Sequence, residues 1–118
     1  MKKLECYLRT HRRRWALTQQ ELATLVGLQS GPAISRLESR QRQPSLEFAF
    51  ACEILLGISP PELFPGLFAE VEDAVMRRAY QLHEQLQGGS SRTAQAKIDI
   101  LMDALARAAN RAHQKAHE

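Results

Sequence analysis

The groups with the most chemical potential in this sequence are its arginines. Residues 1–45 hold nine basic residues, among them Arg9, Arg12, Arg13, Arg14, Arg36, Arg40 and Arg42, against only Glu5, Glu21 and Glu38. That is a local charge of +6 in a chain whose net charge is +3. Guanidinium groups donate in pairs to phosphate and carboxylate oxygens, so a cluster of this sign points to an anionic partner. Residues 46–65 carry only Glu47, Glu53 and Glu62, and residues 66–118 hold seven charges of each sign. The basic character therefore belongs to the N-terminal third.

Other reactive side chains form no recognisable constellation. His113 and His117 are four apart, a spacing that suits two metal ligands on one helical face. They lie beside Gln114 and Lys115 with no carboxylate or thiol at complementary spacing, so they read as a polar tail and no metal is expected. Cys6 and Cys52 are isolated thiols without a C-x-x-C spacing, as expected of reduced cysteines in a cytoplasmic protein. No Ser-His-Asp or Cys-His arrangement, paired carboxylates or Gly-rich phosphate loop is present, so no cofactor or catalysis is expected. An enzyme would require a ligand pocket lined by residues such as His83 or His113.

The chain has 118 residues, of which 44% are hydrophobic and 25% charged, the make-up of an ordinary globular protein. No segment reaches roughly 18 uninterrupted apolar residues, and no apolar run follows the first basic residues. Neither membrane insertion nor secretion is expected.

Apolar residues recur at helical spacing and strand signals are nearly absent, so the expected fold class is all-α. A first helix over about 3–15 would place Leu4, Leu8, His11 and Trp15 on one side. Thr18-Gln-Gln-Glu21 has the form of a capping box and opens a short second helix with Leu22, Leu25 and Val26 as its apolar positions and Gly27 as its stop. Ser30-Gly31-Pro32 opens a third, whose inner side is Ile34 and Leu37. A polar loop through Arg42 and Pro44 leads to a fourth helix over Leu46–Leu56, rich enough in apolar residues to be largely buried. Ser59-Pro-Pro-Glu62, a second capping-box pattern, opens a fifth helix that Pro65-Gly66 closes. Two longer helices follow, over about 67–87 and 93–115, separated by Gly88-Gly-Ser-Ser91. They are expected to fold back as an antiparallel pair.

The second and third helices, joined by a short Gly-containing turn, have the form of a helix-turn-helix. Leu17-Thr-Gln-Gln-Glu-Leu-Ala23, Gly27, Ile34-Ser-Arg-Leu-Glu38 and Arg42-Gln-Pro-Ser45 together resemble the phage-repressor and Cro-like, XRE-type helix-turn-helix domain. The resemblance covers about residues 4–64 and implies a transcriptional regulator that binds double-stranded DNA. It implies base contacts from Gly31, Pro32, Ala33, Ser35 and Arg36, with Arg36 the foremost because its guanidinium can donate twice to guanine. Phosphate contacts are implied for Gln19, Gln20, Ser30, Arg13, Arg14, Arg40 and Arg42, and a structural pair for Arg12 and Glu38. The sequence departs from the family pattern in three places. The turn between Gly27 and Ile34 is one residue longer, Arg40 stands where glycine is common, and His11 stands where an apolar residue is usual.

The expected division is a DNA-binding domain over 1–65 and a helical hairpin over 66–118. A symmetric operator calls for a homodimer. The hairpin residues Val71, Val75, Leu82, Ile98, Leu101, Leu105 and Ala108 are the candidate dimer contacts, packing with a second copy as a four-helix bundle. Packing of the hairpin on its own first domain is the alternative. The leading reading is a homodimeric repressor. The second is an antitoxin-type factor whose residues 66–118 grip a protein partner while the first domain autoregulates its operon.

Overall fold

A computed structural model describes residues 6–116, which form the helices α1 (Leu8–Arg14), α2 (Gln19–Val26), α3 (Gly31–Glu38), α4 (Leu46–Leu56), α5 (Pro60–Leu63), α6 (Pro65–Leu86) and α7 (Arg92–Ala116). No strand occurs among the described residues, and the protein is all-α. The chain divides into two compact units, the first ending at Ala69 and the second beginning at Glu70.

In the first unit, Leu8, Leu22, Ile34, Leu37 and Leu63 are fully buried around Phe48 and Phe64. The two rings meet at 6.4 Å between centroids and a 55° tilt, within the range of favourable edge-to-face geometry. Ala23, wholly buried on α2, lets α3 approach closely, and these two helices make the tightest association in the unit.

Local chemistry sets most helix ends. Thr18 Oγ1 accepts from the Glu21 N–H at 3.0 Å, while Glu21 Oε1 accepts from the Thr18 N–H at 2.9 Å, completing the reciprocal capping box. Gly27 and Gly57 end α2 and α4 with φ of 83° and 72°, a backbone region that glycine enters without a Cβ clash. Ser45 Oγ accepts from Phe48 N at 3.1 Å, and Ser91 Oγ from Ala94 N at 3.1 Å, opening α4 and α7.

Several expectations are corrected. Among the described residues the first helix begins at Leu8, preceded by Tyr7, whose N–H donates to the Leu63 carbonyl at 2.9 Å and ties this segment to α5; the expected start near residue 3, with Leu4, lies outside the described residues. Trp15 is 63% exposed, since it follows the end of α1 and its ring is not carried onto the inner side. Leu25 is also exposed, because α2 buries the line through Leu22 and Ala23 instead. The Ser59 hydroxyl donates to the Glu62 carboxylate at 2.8 Å, and no side-chain cap reaches the α5 backbone. Pro65-Gly66 opens α6 rather than closing α5, consistent with proline's tolerance at a first helical position, where no N–H is needed.

Helix α4 departs furthest from expectation. Phe48, Ala49 and Cys52 are buried, but Leu46, Phe50 and Ile54 face solvent. In the second unit, Arg111 near the end of α7 donates to Glu72 near the start of α6, with Nε to Oε2 at 2.6 Å. The two helices therefore run antiparallel. Ala79 is buried and Leu86 half-buried, whereas Val71, Val75 and Leu82 are exposed. Along α7, Ala94, Ile98, Leu101, Leu105 and Ala108 are half-buried, and Ala112 is exposed.

Candidate nucleic-acid interface

The third helix presents two unlike faces. Gly31, Ala33, Ile34 and Leu37 are buried, while Pro32, Ser35, Arg36 and Ser39 are exposed. The exposed side borders an open groove of about 570 Å³ that Thr18 and Gln20, at the start of α2, also line. Gly31, assigned to base contact by resemblance, also lines this groove, whereas Ala33 is not among its lining residues. Gly31 lies against the Gln19 and Gln20 segment, with its N–H donating to Gln20 Oε1 at 3.1 Å, and Ala33 packs inward. The exposed side chains on this side of α3 are those of Pro32, Ser35 and Arg36. Ser30 is half-buried and its hydroxyl makes no cap to α3, in contrast with the sequence expectation.

A buried ion pair joins the first helix to this face. Arg12 Nε donates to Glu38 Oε2 at 2.6 Å and Nη2 to Glu38 Oε1 at 3.3 Å, with side chains only 9% and 5% exposed. Arg12 Nη1 also donates to the Leu17 carbonyl at 2.8 Å, and Gln19 Nε2 to Glu38 Oε1 at 3.0 Å. Every buried side-chain nitrogen or oxygen among the described residues has a partner. One carboxylate thus gathers α1, the start of α2 and the end of α3. Its charge is balanced by Arg12, so the helix-turn-helix keeps a positive character.

Gln19, a phosphate candidate by resemblance, lines the groove and is half-buried, and its side-chain amide donates one hydrogen bond to Glu38. Gln20 remains exposed while its oxygen accepts from Gly31. Arg13, Arg14 and Arg42 are exposed and Arg40 is partly so. Arg9, one of the nine basic residues within positions 1–45, is exposed beside the buried pair, with Nε 4.0 Å from Glu38 Oε1. Its spacing of three and four from Arg12 and Arg13 was the available signal that these residues share a side of α1.

The end of α3 explains an unusual residue. The Gln41 N–H bonds to the Arg36 carbonyl at 2.8 Å and the Arg40 N–H to the Leu37 carbonyl at 3.3 Å. This is the Schellman pattern, whose penultimate member is left-handed. Arg40 occupies that position with φ of 64°, where a glycine would be unstrained.

The thiols lie away from the groove. Burial pushes the Cys52 thiol up to about 12, and Cys6, also raised by burial, donates weakly to the Leu37 carbonyl at 3.8 Å. Among the described residues no cluster of three or more His, Cys, Asp or Glu side chains can hold a metal ion, and no helix is long and apolar enough to cross a membrane. His113 is exposed on α7, and His117 lies outside the described residues.

Two short helices packed through Ala23, with an exposed polar face on the second and arginines around it, define a helix-turn-helix DNA-binding module. The helix-turn-helix family model matches residues 2–63, more than half of the chain, and the protein belongs to this XRE-type family of DNA-binding transcriptional regulators. Neither the curated proteins nor the solved structures yield a match.

Proposed function

We propose that this regulator is a repressor that occupies a palindromic operator as a homodimer. The observation that carries the reading is the exposed Pro32, Ser35 and Arg36 side of α3 bordering an open groove. Arg36 reads guanine through two hydrogen bonds, which discriminate against a wrong base by about 1–3 kcal/mol. Pro32 and Ser35 approach neighbouring base edges. Arg13, Arg14, Arg40 and Arg42, with Gln20, hold phosphates and set the register of the domain on the duplex.

Residues 66–118 form the dimerisation region in this reading. Ala79 is the one residue buried among those described in α6 and α7, so Val71, Val75 and Leu82 keep apolar surface available to a second hairpin. Ile98, Leu101, Leu105 and Ala108, half-buried along α7, complete a four-helix bundle across the two-fold axis. The same exposed valines and leucine support the second reading, an antitoxin-type factor with a protein bound to this hairpin.

Random-library DNA selection with the wild-type chain and with Arg36→Ala tests the proposal. Wild type is expected to enrich a two-fold symmetric site, and Arg36→Ala to lose preference at one position in each half-site. Equal sequence preference in both would refute base reading by Arg36. A clean 13.3 kDa monomer in sedimentation at micromolar concentration would refute the dimer.

A further inference from the structure

Helix α4 leaves an apolar side uncovered. Ordinary surface helices are apolar on one side, and helices apolar all round are normally buried all round. Here α4 is apolar on both sides but covered on one: Phe48 and Cys52 face the core, while Leu46, Phe50 and Ile54 are 67%, 52% and 86% exposed. At about 100° per residue, Leu46 and Ile54 fall within about 40° of Phe50, so the three stack as one stripe over two turns. Phe48 and Cys52 fall about 160° from Phe50, on the opposite side. Glu47 and Glu53, both exposed, stand about 60° to either side of the stripe.

The charges select the occupant. Helix α4 contains no basic residue, and its glutamates repel phosphate, so nucleic acid is disfavoured on this face. Two copies meeting through α4 would line one seam with four glutamates and no cation from either helix, a like-charge arrangement that opposes association. An apolar ridge with an acidic rim on both sides is complementary to an amphipathic helix whose apolar stripe is bordered by lysines or arginines. We propose that α4 docks such a cationic helical segment of another protein, through a surface separate from the DNA-facing side of α3.

A labelled synthetic helix of about four turns, with leucines at i, i+4 and i+8 between lysines, tests this against the same helix with glutamates in place of the lysines. Fluorescence anisotropy with the full chain is expected to show binding about tenfold tighter for the lysine peptide at low salt. The double variant Glu47→Lys/Glu53→Lys is expected to reverse that preference. Phe50→Ser/Ile54→Ser is expected to abolish binding of both peptides, with its circular dichroism spectrum and DNA binding retained. No binding by either peptide, equal binding, or a preference that the charge variant leaves unreversed would overturn the proposal. So would conversion of a sedimenting dimer to monomer by Phe50→Ser/Ile54→Ser, which would assign the stripe to a second copy. Should the serine variant unfold, the charge reversal decides alone.

Discussion

Glu38 shows how one side chain can organise a site without facing DNA itself. Its carboxylate accepts from Arg12 and Gln19, and both members of the ion pair are nearly inaccessible to solvent. Removing one partner of such a pair leaves the other buried and uncompensated, which is far more costly than the net value of the intact pair. Glu38→Ala is therefore expected to lower stability by about 3 kcal/mol and to weaken DNA binding, because α1 and α3 lose their common anchor. Thermal denaturation with a parallel DNA titration checks this, and an unchanged melting temperature would sink it. Arg40 is the converse case, a residue held in a conformation it does not favour. Arg40→Gly relieves a left-handed backbone strain of about 1 kcal/mol, which corresponds to a rise of about 4–8 °C in a domain of this size. The same substitution removes a cation from the rim. Higher melting temperature with weaker DNA binding is the expected combination; a lower melting temperature would refute the strain.

At the scale of elements, the start of α2 depends on a reciprocal pair of hydrogen bonds. The backbone N–H of Thr18 and, secondarily, its hydroxyl group hold the Glu21 carboxyl below its usual value of 4.5. A carboxyl whose value is depressed by folding contributes stability above its unfolded value, and the contribution is lost as pH falls through the folded value. Stability from the capping box is thus expected to be complete above 4.5 and to fade below it. Glu21→Gln keeps a neutral acceptor but cannot titrate, so its melting temperature is expected to fall less steeply than that of wild type as the pH is lowered below 4.5. Parallel acid-limb slopes in scanning calorimetry would refute a role for this carboxylate. The Thr18 cap was legible because its donors and acceptors are near neighbours in the chain. The superficially similar Ser59-Pro-Pro-Glu62 was misleading, because the Ser59 hydroxyl bonds the Glu62 side chain instead of the helix backbone.

Across the whole molecule, the modest net charge of +3 averages three unlike regions. The arginines gather around a module that binds DNA, Glu47 and Glu53 lie on α4 and Glu62 on α5, and the last two helices carry balanced charge. Phosphate recognition by the first region is sensitive to salt through counterion release. Association of an apolar stripe such as Val71, Val75 and Leu82 is governed by area removed from water instead. Under the proposed dimer, the conditions that control DNA occupancy are therefore separable from those that control assembly.

The sequence by itself determined the all-α class, the stops at Gly27 and Gly57 and the start of α2, since these rest on spacing and on bonds between near neighbours. Resemblance supplied the helix-turn-helix and its family. Tertiary structure decided which of two apolar sides α4 buries, that Ala33 packs inward while Pro32, Ser35 and Arg36 do not, and that Gln19 is engaged by Glu38. The physical reason is common to all three. Helical periodicity marks which residues share a side, but the side that loses its water is chosen by what packs against it from elsewhere in the chain.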